Sequence, residues 1–189
     1  IFIGGISASG TRALQYVKVC EQKKSKSGIK IKGVFSVDSP LHFERFYFSA
    51  KKNGSNFTQG MAEEAKLMMR VFPERLGTPK KNPFAYESRS IYSQFAMNGG
   101  NAKYFKKVPQ IIFHEPDLDW WKKERNASYY DINSFDINGF VNQLEKLGNK
   151  DITLVTTSGK GYQNGVRKCH SWSIVDEEFL LNWILKRIS

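Results

Sequence analysis

Within seventeen residues the chain passes from an apolar start, Ile1-Phe2-Ile3, through Gly4-Gly5-Ile6-Ser7-Ala8-Ser9-Gly10 into Thr11-Arg12-Ala13-Leu14-Gln15-Tyr16-Val17, where apolar residues recur at helical spacing. A strand that turns this abruptly into a helix leaves few architectures open. The helix must run back over the sheet, so the next strand lies parallel to the first and the crossover is right-handed. Ala13, Leu14, Tyr16, Val17 and Cys20 predict a helix over residues 11–22, followed by a polar loop at 23–28. Residues 29–37 alternate and then turn apolar (Ile29, Ile31, Val34, Phe35, Val37), which predicts a second strand ending at Asp38-Ser39-Pro40.

The same order returns in the second half. A strand is predicted over 108–114, a loop rich in acids and aromatics over 115–131, and a helix over 134–147. A strand over 152–156, a Gly-rich loop over 158–167 and an amphipathic helix over 174–188 complete the pattern. The expected fold is therefore α/β, with a parallel sheet of four strands and flanking helices.

Between the second and third strands no strand pattern appears. Aromatic and helical patterns at 43–48, 61–72 and 90–97 are broken by Asn53-Gly54, Pro73, Pro79, Pro83 and Gly99-Gly100. Residues 1–41 and 104–189 thus read as the core, and 42–103 as a helical cap or insertion.

Composition narrows the function classes. The chain has 189 residues, 40% of them hydrophobic, enough for one packed core. No stretch approaches the ~18 apolar residues of a membrane span. Cys20 and Cys169 form neither a CxxC pair nor a disulfide framework, and no helical Glu-x-x-His is present, so no metal or cofactor is expected. The net charge of +11 is spread over lysine pairs at 23–24, 51–52, 80–81, 106–107 and 122–123. Scattered in this way, it reads as a basic surface and not as a nucleic-acid stripe.

The first turn carries the chemistry. A serine hydroxyl becomes a nucleophile when a bend holds it out beside a base and N–H donors. In Gly5-Ile6-Ser7-Ala8-Ser9, Ser7 stands at the tip between small residues, and the Ala8 N–H at the helix start is an oxyanion donor. Neither the Gly-x-Gly-x-x-Gly spacing nor a P-loop lysine is present.

A base and an acid must reach the same sheet edge. Of the three histidines, His170 follows the last strand on a loop and has acids upstream. His114 ends its strand as a structural histidine, and His42 opens the insertion, where it can contact substrate. Glu115-Pro116-Asp117-Leu118-Asp119 offers Asp117 and Asp119; Asp117 is favoured because it lies nearer the strand end and follows proline. Asp38, ending the second strand, is the outside candidate, while Asp131 and Asp136 read as helix caps. Trp120, Trp121, Tyr129 and Tyr130 read mainly as packing residues, with one or two walling an acyl or alcohol pocket.

The elbow Gly4–Gly10, Glu115-Pro116-Asp117 and Cys169-His170-Ser171-Trp172-Ser173-Ile174-Val175-Asp176 together resemble the α/β-hydrolase superfamily, and within it esterase-like bacterial hydrolases, many of them exported. The resemblance spans essentially the whole chain and corresponds to the C-terminal part of that fold, strands five to eight, with 42–103 as the cap after the sixth. It implies a serine hydrolase acting on small-molecule acyl or ester substrates, with Ser7 as nucleophile, Asp117 as acid, His170 as base and Ala8 N–H in the oxyanion hole. It also implies a periplasmic or secreted location, and a preceding segment or another chain that completes the sheet and supplies the second oxyanion donor. Ser9 stands where the family pattern has glycine. The alternative is a non-catalytic module of the same fold that binds a ligand or partner.

Overall fold

The computed structural model describes the chain apart from residues 24–29, 57, 58 and 189. Strand β1 (Phe2–Ile6) turns at Ser7 into helix α1 (Ala8–Lys23), and β2 (Gly33–Val37) follows. Most of the expected polar loop, and Ile29 at the start of the expected strand, lie outside the described residues. Ile31 precedes β2 as coil, so the strand is shorter than its apolar pattern suggested. On α1 the buried face also differs from expectation. Tyr16 is exposed, whereas Lys18 is buried and its Nζ donates to the Ser88 carbonyl at 2.9 Å.

The insertion contains α2 (Phe43–Asn53), α3 (Gln59–Leu76), α4 (Pro83–Arg89) and a 3-10 segment, Met97–Phe105. Residues 90–96 are irregular where a helix was expected. Ser90 turns extended, and the next two amides, of Ile91 and Tyr92, both donate to the Leu41 carbonyl, which draws the backbone out of helical geometry.

Strand β3 (Gln110–His114) leads into α5 (Leu118–Arg125), a helix in the stretch expected to be loop. Asp119 in its first turn and Lys122, Lys123 and Arg125 in its last suit the helix dipole, and Asn126 closes it in the left-handed region at φ 48°. After α6 (Asn133–Lys146) and β4 (Ile152–Thr156) comes a hairpin, β5 (Tyr162–Gln163) and β6 (Val166–Arg167), inside the expected Gly-rich loop. Asn164 and Gly165 both take positive φ, as a two-residue hairpin turn demands. The final helix α7 (Glu177–Leu185) starts late because Asp176 caps it, accepting from the Phe179 amide at 2.9 Å.

The main sheet is parallel in the order β1-β2-β3-β4. Alternation along the strands feeds two cores. Ile3, Val34, Ile112 and Leu154 face α1 and α6, packing with Leu14, Val17, Ile137 and Phe140. Phe2, Val37, Phe113 and Val155 face α7, packing with Leu180 and Trp183. The insertion has its own cluster around Tyr47, Leu76 and Tyr86. Among the described residues no helix is long and apolar enough to cross a membrane.

Candidate active site

The register Ile6↔Val37↔Phe113↔Val155 brings the C-terminal ends of all four strands to one edge. The ladder continues one residue beyond the strands. Ser7 N–H donates to the Val37 carbonyl at 2.8 Å, and Asp38 N–H to the Phe113 carbonyl at 2.9 Å. Neighbouring strands run about 5 Å apart, so Ser7 and Asp38 stand side by side where β1 and β2 end.

Ser7 holds φ at 53°. Among the described residues five other non-glycine residues share the left-handed region, and all are Asn or Asp, whose short polar side chains tolerate it. Ser7 alone lacks that excuse, and strain of this kind persists where the surroundings enforce it. The enforcing contacts are local. A Cβ on Gly5 would lie 2.5 Å from Ser9 Oγ, and one on Gly10 would lie 2.1 Å from Ser39 Oγ and 2.6 Å from the Gly5 carbonyl. Strand and helix therefore cross at Gly5 and Gly10. Ser9 instead ties the turn, its Oγ donating to the Ile6 carbonyl at 2.6 Å and accepting from the Ile6 amide at 3.0 Å.

Ser7, Asp38 and His170 line one cleft, together with Phe46, Ala50, Met61 and Ala65 of the insertion and with Trp121 and Ile132. His170 Nδ1 lies 3.9 Å from Asp38 Oδ2 and is buried without a hydrogen bond. Ser7 and His170 share the cleft, but no hydrogen bond joins them in this conformation. In serine hydrolases such a bond is often completed only when substrate arrives.

The two acids favoured in the sequence stand elsewhere. Asp117 accepts from Arg167 Nε at 3.0 Å and from the Tyr162 hydroxyl at 3.1 Å, and Asp119 is exposed in the first turn of α5. Asp38, the outside candidate, is the carboxylate beside His170. Local distance along the chain favoured Asp117; the sheet register favours Asp38. Neither Asp131 nor Asp136 simply caps its helix start. Asp131 completes a capping box with Ser128 and also binds Lys52, while Asp136 is buried against Arg45.

The other histidines are engaged. His114 is fully buried, with Nδ1 3.0 Å from Ser134 Oγ and Nε2 2.7 Å from Thr156 Oγ1, and burial pushes its pKa below the usual range while Asp38 pulls the other way. His42 Nε2 lies 3.1 Å from Ser93 Oγ, and its Nδ1 lies 3.8 Å from Asp136 Oδ1. Of the aromatics, Trp121 walls the cleft, whereas Trp120 lies under the guanidinium groups of Arg125 and Arg167. Cys169 also faces the cleft and donates to Met61 Sδ. Burial pushes this thiol up despite the nearby Arg125 and Arg167, which disfavours the thiolate a rival nucleophile would need.

Sequence reasoning missed Glu115 and Arg167. Glu115 is buried on the cleft floor, where its carboxylate meets Thr157, Lys160, Gly161 and Arg167. Their partnership spans about fifty residues and leaves no local signature. No family model, curated protein or solved structure matches the chain.

Proposed function

We propose that the chain is a serine hydrolase of the α/β-hydrolase kind, cleaving uncharged carboxylic esters through an acyl-enzyme. In this reading β1–β4 correspond to the last four strands of that fold and residues 42–103 to its cap. The observation that carries it is the left-handed backbone of Ser7 at the strand–helix turn, on the same cleft as the His170–Asp38 pair.

Each role follows from elementary chemistry. Ser7 Oγ attacks the acyl carbonyl while His170 takes its proton, and the Ala8 N–H faces the developing oxyanion. Asp38 accepts the other imidazole N–H, which holds the tautomer and stabilises the imidazolium. Collapse of the tetrahedral species expels the alcohol, which leaves with the proton from His170. Water then repeats the sequence on the acyl-enzyme, giving the acid and restoring Ser7.

The cleft wall supports the substrate class. Phe46, Ala50, Met61, Ala65, Trp121 and Ile132 are apolar, and no lysine or arginine among the described residues lines it. Lys52 is paired with the lining Asp131 and Arg167 with Glu115 and Asp117, so these cations beside the cleft are already committed, while Asp38 and Glu64 disfavour an anionic substrate.

The test is covalent labelling with a fluorophosphonate. The wild-type chain takes one label, and Ser7→Ala loses both label and ester turnover by about 10³-fold or more. A label that survives Ser7→Ala overturns the assignment. A folded chain that takes no label yet binds a neutral ester supports the binding-module alternative.

A further inference from the structure

We propose that Glu115 is a positioning residue for His170, acting through a buried latch on the loop between β4 and that histidine; the role rests on the hydrolase reading above. Glu115 directly follows β3 and is 1% exposed. An ionised carboxylate so placed is costly unless its lone pairs are met. They are met almost entirely by the one loop. Thr157 Oγ1 and the Lys160 amide each donate to Oε2 at 2.8 Å, and the Gly161 amide donates to Oε1 at 2.8 Å.

Arg167 closes the latch from the far side of the hairpin. Its side chain is 1% exposed, Nε lies 3.6 Å from Glu115 Oε1, and Nη2 donates to the Glu115 carbonyl at 3.2 Å. The same Nε donates to Asp117 at 3.0 Å, and the Lys168 amide returns to the Gly161 carbonyl at 2.9 Å. The fit leaves no room: a Cβ on Gly161 would lie 2.4 Å from Arg167 Nη1 and 2.8 Å from Glu115 Oε1.

The loop's other ties are single bonds, from the Thr157 amide to the His114 carbonyl at 3.0 Å, from Tyr162 to Asp117 at 3.1 Å, from Gln163 to Ser171 at 3.0 Å and from Ser173 to the Lys160 carbonyl at 2.5 Å, whereas Glu115 gathers three donors at one carboxylate. Among the described residues β5 and β6 pair only with each other and not with the main sheet. His170 follows Arg167 by three residues, so the latch fixes the point from which His170 reaches towards Asp38. The charge is specific as well. The Lys160 and Gly161 amides address different oxygens of Glu115, so a glutamine in its place turns an NH2 group against one of these donors.

The experiment uses the full chain, wild type and Glu115→Gln, with hydrogen exchange over residues 157–170 and the rate of fluorophosphonate labelling. Exchange in that segment rises about tenfold or more while α1 and β3 are unchanged, and labelling slows about tenfold or more at an unchanged saturation constant. In a His170→Ala background Glu115→Gln slows labelling no further, because there is no imidazole left to misplace. Unchanged exchange, unchanged labelling, or an equal loss in the His170→Ala background each overturns the role. If Glu115→Gln does not fold, Arg167→Lys takes the same measurements. If the wild type takes no label, the hydrolase reading falls by itself, and the imidazole resonances of His170 then decide: a shift on Glu115→Gln supports the latch and no shift overturns it.

Discussion

Among the described residues two Ser–His–Asp groups invite comparison, one buried and hydrogen-bonded, the other on the cleft. Ser93, His42 and Asp136 are buried, with 3.1 Å from serine to histidine and 3.8 Å from histidine to aspartate. Ser7, His170 and Asp38 share an open cleft with no serine–histidine hydrogen bond. Yet burial, helped by Arg45, brings His42 down to about 4, too low for a general base near neutral pH. Burial pushes Asp136 up to about 6 even though Arg45 pairs with it. Ser93 has no left-handed backbone to project its hydroxyl. The hydrogen-bonded group is thus held neutral and enclosed, while the looser group has the strained serine and the open cleft.

The buried group does work as an anchor. Arg45 donates from Nη1 to the Asp131 carbonyl at 2.8 Å and from Nη2 to Asn133 Oδ1 at 3.1 Å. Asn133 Nδ2 in turn donates to the Asp38 carbonyl at 2.9 Å. Helix α2 is thereby pinned to the start of α6, and the network ends on the main chain of the acid in the open group.

The largest expected effect separates the two aspartates. Asp38→Asn lowers labelling and turnover on the order of 10³-fold with little change in melting temperature. Asp136→Asn leaves Arg45 buried without its carboxylate, costs about 3–5 kcal/mol of stability, and leaves the labelling rate of the folded fraction unchanged. Asp117→Asn loosens Arg167 and lowers the rate about tenfold or less. Denaturant titration and labelling on the same samples check all three. Swapped phenotypes for Asp38 and Asp136 would break the comparison.

A smaller effect is written in pH. Between pH 6.5 and about 4 the unfolded chain protonates His42 while the folded chain does not, so this residue makes stability fall on acidification, by about 3 kcal/mol in full. Asp136 works oppositely. Its folded form keeps a proton between pH 3.8 and about 6, so it makes stability rise as pH falls through that window. The two offset each other in the wild type. His42→Gln removes the first and keeps the second, so its stability relative to wild type improves steadily from pH 6.5 to 4. Parallel stability curves for the two proteins would show that His42 is not held neutral by burial.

The two groups also show what a sequence displays. Four strands, the elbow serine and the histidine loop were legible because each is a local pattern of apolar runs and small residues. The sequence ranked Asp38 behind Asp117 as partner for His170, because Asp38 meets His170 only through strand register and a loop 132 residues downstream. Helix α5 and the Asn164-Gly165 hairpin were legible in principle, through charges placed along the dipole and an Asn-Gly turn. Composition hid them, since acids, aromatics and glycines suggested loop. Lys18 was hidden for another reason: its burial depends on the Ser88 carbonyl, seventy residues away.

The smallest prediction tests whether the open group relies on ties of the buried kind. Ser9 stands at the second flank of the elbow, and its two hydrogen bonds to Ile6 staple the turn that strains Ser7. Helix and strand do not need glycine there, because Gly10 makes the close crossing against Gly5. Ser9→Gly should therefore open no useful space; it removes the staple and adds backbone freedom, costing about 1–2 kcal/mol. If strain at Ser7 is maintained by the Gly5–Gly10 crossing and the Val37 hydrogen bond, labelling stays within about threefold of wild type once the folded fraction is counted. A much larger loss would place the control of Ser7 in the Ser9 hydroxyl, and the open group would then depend on a made hydrogen bond after all.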